Sequence, residues 1–300
     1  MISVIIPHLN QPGALRKCLQ SLADQKAFSH EVEVLVVDNG STPVPEDVCA
    51  AFANVRLLHQ PIPGPGPARN LGAEAARGEI LAFIDADCTA SPQWLSVVEA
   101  AMETCAPPCV LGGDVRCNYA DPDAIAYAEP FERIYAFRNR MYIEKQGFCL
   151  TGNLAMRPDV FARVGPFGGL DVAEDRDWGG RATALKIRMH FVENMIVYHP
   201  ARKAFDELKR KWDRHISHDY ADMRGAPGMV KWIVKAFALL ASPLAEISII
   251  LTSDRVSGLQ ERWTAFTCLT RIRAFRARRM LTLAIRGDAD RVTSAWNRTT

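Results

Sequence analysis

Ile80-Leu81-Ala82-Phe83-Ile84, followed directly by Asp85-Ala86-Asp87, is the stretch that decides the fold class of this 300-residue chain. Five consecutive apolar residues predict a strand that is buried on both faces. The two carboxylates after it would then lie at the sheet edge where open α/β folds bind ligands. Mg²⁺ is usually held by one or two carboxylates together with substrate phosphates, so the spacing indicates a metal and diphosphate site. Asp is also common in turns, so the triplet alone leaves both interpretations open.

Segments of strand length alternate with segments of helical periodicity on both sides of this stretch. The predicted strands are Ser3–Pro7, Val32–Val37 and Val55–Leu58, and the predicted helices begin at Pro12, Ala68 and the N-cap pair Ser91-Pro92. This alternation predicts an α/β fold with a mostly parallel, doubly wound sheet and right-handed crossovers. The Pro- and Gly-rich residues 60–67 are expected to form a loop before the second of these helices.

The pattern is less regular after residue 109. The sequence predicts strands at Val110–Cys117, Phe148–Met156 (with an interior turn), Arg188–Val192 and Ile196–Tyr198, helix at Asp123–Ile143, and helix throughout from Ala204. We expect the chain to end in a helical extension.

Composition is that of a globular protein, with 48% hydrophobic and 23% charged residues. The formal net charge of +2 gives no global attraction to nucleic acid. The eight cysteines form no C-x-x-C pairs, which favours a reduced, cytoplasmic setting. Strand-like sequence from Ile2 leaves no basic region for a signal peptide. The longest charge-free apolar segment, Ala236–Ala245, is about half the roughly 20 residues that a spanning helix needs.

Two further positions in the amino-terminal half are candidates for nucleotide contacts. Asp38 ends a predicted strand, and a carboxylate there could accept the N3–H of uracil or thymine; Asp38-Asn39-Gly40-Ser41 is also ordinary turn sequence. Arg69 follows a Gly-containing loop at a helix N-terminus, a place that favours phosphate, although a surface role is equally compatible with its spacing. The loop has no Gly-Lys-Ser/Thr, and no G-x-G-x-x-G follows the first strand.

The carboxyl-terminal half adds three candidates. Glu174-Asp175-Arg176-Asp177 is a dense acidic cluster that could supply a general base or form a helix N-terminus. Thr151-Gly152-Asn153 could be a turn that lets a substrate approach the backbone. His199 lies at the end of a predicted strand, where a lone His is usually not a metal ligand.

Taken together and in this order, these motifs resemble family 2 glycosyltransferases, which are inverting enzymes of the GT-A fold that use nucleotide sugars. The matching stretches are Ser3-Val4-Ile5-Ile6-Pro7 with Asn10, Val36-Val37-Asp38-Asn39-Gly40-Ser41, Ala68-Arg69-Asn70-Leu71-Gly72, Phe83-Ile84-Asp85-Ala86-Asp87, Thr151-Gly152-Asn153-Leu154-Ala155-Met156-Arg157, Val164-Gly165-Pro166-Phe167, and Glu174-Asp175-Arg176-Asp177-Trp178-Gly179-Gly180-Arg181. Each motif is short, but their common order over residues 1–200 is specific.

The resemblance implies a role for each matching position. Asp38 would bind the base, Asp85 would lie near ribose and metal, Asp87 would ligate Mg²⁺ or Mn²⁺, and Asp175 would be the catalytic base. His199 falls where some relatives place a metal ligand. The remaining expected substrate contacts are Pro7, Asn10, Arg69, Gly152, Asn153, Glu174 and Arg181. The donor would be a UDP- or dTDP-linked sugar, and the acceptor a hydroxyl of a glycan or lipid-linked intermediate.

The resemblance also divides the chain. We expect a GT-A domain over residues 1–203, with a nucleotide-binding half at 1–108 and an acceptor half at 109–203, and a basic, apolar helical region over 204–300. Basic residues at Lys209–His218 and Arg271–Arg279 flank the apolar segment Trp232–Leu251. Such a pattern indicates peripheral attachment to an anionic membrane face, and a packed helical cap or dimer interface is the alternative.

Two other functions are compatible with parts of the pattern. A nucleotidyltransferase that makes sugar nucleotides would need a Gly-rich, basic loop after the first strand, and Pro7–Pro12 does not provide one. A catalytically inactive sugar- or lipid-binding scaffold would not need Asp85, Asp87 and Asp175 together. We therefore expect an active transferase.

Overall fold

A computed structural model describes residues 1–119, 121, 123–221 and 225–286. Eight strands within these residues form one sheet in the order β3-β2-β1-β4-β7-β6-β8-β5. The strands are β1 (Ile2–His8), β2 (Val32–Asp38), β3 (Val55–His59), β4 (Ile80–Ile84), β5 (Thr89–Ala90), β6 (Cys109–Asn118), β7 (Asn153–Met156) and β8 (Arg188–Pro200).

The sheet has a parallel half and an antiparallel half. β1 pairs in parallel with both β2 and β4, and β2 pairs in parallel with β3. β7 is antiparallel to β4 and β6, and β5 is antiparallel to β8. The carboxyl ends of β1, β2 and β4 therefore meet at one edge, which confirms the expected α/β architecture.

Helices follow most of the strands. Their bounds are α1 (Pro12–Ala23), α2 (Glu46–Ala50), α3 (Pro65–Ala75), α4 (Trp94–Thr104), α5 (Glu129–Tyr135), α6 (Asn139–Met141), α7 (Pro158–Val164), α8 (Glu174–Ala184), α9 (Phe205–Ala221), α10 (Gly225–Ala241), α11 (Ile247–Thr252) and α12 (Gly258–Arg286), with a π-helical turn at Tyr142–Gln146 and a 3₁₀ turn at Ser242–Glu246. α3 lies close against the sheet because Gly72 has no side chain: a Cβ there would come within 2.5 Å of Ile5 Cγ2. This close packing fixes the position of Arg69 on the same helix.

The described residues divide into two compact units, each with its own hydrophobic core. The first comprises Met1–Arg116 and Arg138–His199, and its core joins sheet residues such as Phe83 and Leu154 to Trp178 of α8. The second comprises Cys117–Phe137 and residues 200–286, and its core packs α5 and α9 against α12. The predicted boundary at residue 203 stays a prediction, and residues 222–224 and 287–300 of the predicted helical region lie outside the described residues.

Several local predictions differ from the structure. α3 begins at Pro65, inside the predicted loop, because proline is tolerated in a first helical turn. α4 begins at Trp94 rather than at the expected Ser91-Pro92 cap, and the Ser91 carbonyl accepts the Trp94 N–H instead. α2 was not predicted, and the expected helix at Asp123–Ile143 is broken into short pieces.

Three further differences concern strands and cysteines. The two short strands predicted after residue 188 are one continuous strand, β8, and the strand expected from Phe148 begins only at Asn153. Cys105 and Cys109 are joined by a disulfide, against the expectation that all cysteines are reduced. The other six cysteines are free and buried.

Candidate active site

The acidic residues after β4 lie opposite the end of β8. The turn Asp85–Cys88 is closed by a hydrogen bond from the Cys88 N–H to the Asp85 carbonyl, and it leads into β5. Antiparallel pairing of β5 with β8 places Thr89 opposite Tyr198. As a result Asp87 Oδ2 is 3.4 Å from His199 Nε2.

This turn has the donor set of a hard divalent cation. Ligand atoms of Asp85, Asp87 and Cys88 lie within 4.8 Å of one another, and His199 adds an imidazole beside Asp87. The carboxylate oxygens suit Mg²⁺ or Mn²⁺, whereas the buried Cys88 sulfur is a soft donor that neither ion prefers. Asp85, Asp87 and His199 are thus the residues that would hold such an ion.

Arg69 connects the acids after β4 to those of α8. Its guanidinium donates one hydrogen bond to Asp85 Oδ1 and another to Glu174 Oε1. The Arg69 side chain is only 5% exposed, whereas that of Asp85 is 36% exposed. Arg69 therefore links α3, the turn after β4 and α8 from the interior of the unit. One side of Asp85 stays exposed to solvent.

Asp175 is held by the turn that precedes β7. Its Oδ1 accepts a hydrogen bond of 3.0 Å from the Thr151 N–H. Gly152, the next residue, faces Asp85: a Cβ at this position would lie 2.5 Å from Asp85 Oδ2. A glycine here allows the turn before β7 to approach the acids after β4. The expected approach of a substrate to this turn stays a prediction.

The cluster holds more negative than positive charge. Three carboxylates (Asp85, Glu174 and Asp175) surround the single guanidinium of Arg69. Burial raises the pKa of Glu174 to about 7; Arg69 opposes this shift, and the carboxylates of Asp175 and Asp85 add to it. Burial also raises the pKa of Asp175, against the lowering effects of Arg69 and of the Thr151 hydrogen bond. A carboxylate whose pKa is raised is a stronger base than a surface carboxylate.

Asp38 lies at the same edge, at the end of β2, opposite His8 of β1. Its Oδ1 is 3.1 Å from His8 Nδ1, and its Oδ2 accepts the N–H groups of Gly40 and Ser41. Burial would raise the pKa of Asp38, but the hydrogen bonds from Ser41 and His8 lower it below its usual value. The predicted base-binding carboxylate is therefore ionised and held in position by its own turn.

Sequence reasoning missed Asn39 and His8. The Asn39 amide donates to the carbonyls of Gln60 and Ile62, and its Oδ1 accepts the Gly64 N–H, so one side chain anchors the Pro- and Gly-rich loop to the end of β2. Both residues lie at the carboxyl ends of predicted strands, since His8 follows the first strand and Asn39 follows Asp38, and this position could have identified them as candidates. Side-chain contacts over 20 to 30 residues of sequence are not visible in local patterns.

Four predicted substrate contacts make structural contacts in this unit. Asn153 is fully buried; it accepts from Trp94 Nε1 and donates to the carbonyls of Asp114 and Met195. Arg181 pairs with Asp177 and donates to the carbonyls of Val164 and Pro166. Pro7 is buried within β1, and Asn10 caps the Thr42 N–H. Their roles in substrate binding stay predictions.

The mixed sheet, whose parallel half ends in clustered acids tied by an arginine to an acidic helix, has the GT-A fold of glycosyltransferases. The sequence model described as glycosyl transferase family 2 matches residues 3–165. The glycosyltransferase AglE of Haloferax volcanii is 35% identical over 218 residues, which cover 70% of each chain. The chain belongs to glycosyl transferase family 2.

A further curated relative and two solved structures are also similar to this chain. The validoxylamine A glucosyltransferase of Streptomyces hygroscopicus subsp. limoneus is 29% identical over 226 residues, which cover 63% of this chain and 48% of that protein. Two solved structures share the fold. The mannosyltransferase PcManGT from Pyrobaculum calidifontis, in complex with GDP-Man and Mn²⁺, has a TM-score of 0.57 at 17% identity and covers 96% of this chain and 87% of its own. S. aureus TarS 1-349 in complex with UDP-GlcNAc has a TM-score of 0.53 at 18% identity, with 95% and 90% covered.

Proposed function

We propose that this glycosyltransferase moves a sugar from a UDP- or dTDP-linked donor to a hydroxyl of a glycan or lipid-linked acceptor, with inversion at the anomeric carbon. The observation that carries this proposal is the group of Arg69, Asp85, Glu174 and Asp175 beside Asp87 and His199, because it joins a cation-binding edge to a basic carboxylate. The PcManGT and TarS complexes contain nucleotide sugars, which supports a donor of this class.

Each side of the cluster has a separate task in this proposal. Asp38 contacts the base and Asp85 the ribose, while Asp87 and His199, with Asp85, hold Mg²⁺ or Mn²⁺. The bound ion would neutralise charge on the diphosphate leaving group. Asp175 takes the proton from the acceptor hydroxyl as the hydroxyl attacks the anomeric carbon. A single displacement inverts the configuration and requires no covalent sugar–enzyme intermediate.

Arg69 and Glu174 position the reacting groups. Arg69 holds Asp85 and Glu174 together while it is almost completely buried, so its charge is already neutralised by protein carboxylates. Burial keeps the pKa of Asp175 raised, although Arg69 and the Thr151 hydrogen bond oppose the shift, and this favours proton abstraction by its carboxylate.

Donor and reaction type are tested together. Purified enzyme is incubated with a panel of UDP-, dTDP- and GDP-sugars and Mn²⁺, and release of the nucleoside diphosphate is measured with and without glycan and lipid-linked acceptors. We expect release with a uridine or thymidine donor, accelerated by an acceptor, and a product of inverted configuration by NMR. Activity with GDP-sugars alone would contradict the donor assignment, and a retained configuration would contradict the mechanism.

The base is tested by Asp175→Asn, which keeps size and hydrogen bonding but cannot accept a proton. Turnover should fall by about 10²-fold or more, as general-base loss typically causes, while nucleotide affinity changes little. Asp177→Asn is the matched control, because Asp177 is two residues further along the same acidic segment and pairs with Arg181 instead. Equal, mild losses in both variants would show that the acidic segment is structural.

A further inference from the structure

A stripe of exposed apolar side chains runs along α10 and α11 in the second unit. Its members recur at spacings of three and four residues, and each is 40–70% exposed: Val230, Val234, Phe237, Leu240, Leu244, Ile247 and Leu251. Helical geometry makes this apolar stripe about 30 Å long. Large contiguous apolar surfaces on soluble proteins mark sites of interaction with membranes or proteins.

The apolar stripe is not needed for the core of the unit. The opposite side of the same helices buries Trp232, Ala236 and Ile250, and Trp232 Nε1 donates to the Met280 carbonyl of α12. The segment thus has two apolar sides, and its inward side is already packed. No described residue buries the outward side.

Charges are placed so that none interrupts the apolar stripe. The only charged residue between 236 and 252 is Glu246, and it points inward, where its carboxylate pairs with Arg273 and accepts from the Tyr135 hydroxyl. Lys231 and Lys235 are exposed at the amino-terminal end of the stripe, and Lys235 Nζ also lies 3.6 Å from Asp219 Oδ2 in an exposed ion pair. Residues 204–286 contain 15 Lys and Arg against 8 Asp and Glu, so this region has an excess of seven positive charges in a chain of net charge +2.

The sequence predicted that the arginines at 271–279 would face an anionic membrane, but several of them contact other side chains of the same unit. Arg273 pairs with Glu246, Arg279 pairs with Asp213, and the guanidinium of Arg276 lies 3.6 Å from the centroid of the Trp212 ring. Arg271 stacks over the Phe205 ring. These side chains hold the helices of the unit together, whereas Lys231 and Lys235, beside the apolar stripe, are exposed.

We propose that the apolar stripe lies in the plane of an anionic lipid bilayer, at the boundary between headgroups and acyl chains, with Lys231 and Lys235 at the phosphates. Apolar helices with cations beside them bind anionic membranes in this way. By length and composition alone, Gly225–Thr252 could also span a membrane, with a mean hydropathy of 1.8. The in-plane arrangement keeps the inward side on α12, whose arginines would be costly to bury in hydrocarbon.

Membrane docking of the apolar stripe does not depend on the proposed sugar transfer. Asp175→Asn should bind vesicles as well as the wild type, so loss of activity and loss of membrane binding are separate results. If docking is correct, it places the enzyme at the surface where a lipid-linked acceptor of the proposed reaction would be found.

The test is sedimentation of the full chain with vesicles of 30% phosphatidylglycerol in phosphatidylcholine. The double variant Phe237→Ser with Leu244→Ser should reduce the vesicle partition coefficient about tenfold or more, because both side chains would leave the apolar layer. Val44→Ser with Leu185→Ser, which changes two exposed apolar residues of the first unit, is the control and should partition like wild type. Lys231→Glu with Lys235→Glu should also weaken binding, and so should 0.5 M salt.

Insertion is measured directly with Phe237→Trp and lipids brominated in the upper acyl chain. Quenching of the new fluorescence relative to wild type, together with extraction of the protein by carbonate at pH 11, supports the in-plane arrangement. Resistance to carbonate would indicate a spanning helix and overturn the proposal. Absence of vesicle binding, with a dimer in analytical ultracentrifugation that the Phe237→Ser and Leu244→Ser variant dissociates, would show that a second copy covers the stripe instead.

Discussion

Replacing Glu174 with Gln should stabilise this enzyme at alkaline pH. Glu174 is almost completely buried between Arg69 and the other acids, and its pKa is raised from 4.5 to about 7. A group whose pKa is higher in the folded state contributes stability that is present at low pH and is lost as the pH rises through the folded pKa. Ionised Glu174 therefore destabilises the folded enzyme above pH 7, and a neutral amide of the same size would remove this cost.

The magnitude follows from the shift. Each pKa unit corresponds to about 1.4 kcal/mol, so a shift from 4.5 to about 7 lowers the free energy of unfolding by about 3 kcal/mol at pH 8 and by about 1 kcal/mol at pH 5. Gln keeps the shape of protonated Glu but cannot ionise. The free energy of unfolding of Glu174→Gln should therefore be higher than that of the wild type by those amounts. The cost to function is separate: loss of the carboxylate also loosens Arg69 and should reduce turnover.

The assay is urea unfolding of wild type and Glu174→Gln at pH 5, 6, 7 and 8, in EDTA so that metal binding does not contribute. Glu103→Gln, on the exposed side of α4, is the control and should follow the wild-type curve. The reasoning fails if the advantage of Glu174→Gln does not grow with pH. If Glu174→Gln were less stable than wild type at pH 8, the ion pair between Glu174 and Arg69 would stabilise the fold by more than burial of the ionised Glu174 carboxylate destabilises it.

Two further variants test the contacts that place the site. Gly152→Ala should weaken Mn²⁺-dependent UDP binding about tenfold in a calorimetric titration, because the new Cβ would displace Asp85. Gly180→Ala is the control and should bind UDP normally, because a Cβ at that position meets nothing within 4 Å. Asn39→Ala should reduce the free energy of unfolding by about 1–3 kcal/mol, because the carbonyls of Gln60 and Ile62 and the Gly64 N–H lose their partner. Residues 60–64 should also become more sensitive to limited proteolysis. Unchanged cleavage would show that other contacts hold the loop.

The part of the fold that could be predicted is the part that depends on local pattern. The apolar runs at β1, β2 and β4 predicted buried parallel strands, and the direction of these strands predicted that Asp38 and Asp85 lie at the same edge of the sheet. The start of α3 at Pro65 could not be predicted, because a proline-rich sequence is compatible with both a loop and a first helical turn. The division of α5 and α6 depends on tertiary packing that overrides helical propensity.

The site itself was only partly accessible from sequence. Both acidic motifs are visible in the sequence, but the bridge that Arg69 makes between them, to Glu174 at a distance of 105 residues along the chain, is not. An arginine at a helix N-terminus beside a glycine loop is compatible with binding phosphate, which was the expectation. The structure shows its guanidinium committed to two carboxylates. Long-range pairing of this kind is determined by the packing of α3 and α8 on the sheet.

The commitment of Arg69 changes how the reaction would be driven. An arginine neutralised by protein carboxylates has little charge left to bind a diphosphate, so in the proposed reaction a divalent cation held by Asp85 and Asp87 would perform that task. At the same time, burial raises the pKa values of Glu174 and Asp175 despite the opposing charge of Arg69. In the proposed reaction, dependence on a divalent metal and a base with a raised pKa are therefore linked through Arg69, and a change at Arg69 should alter both together.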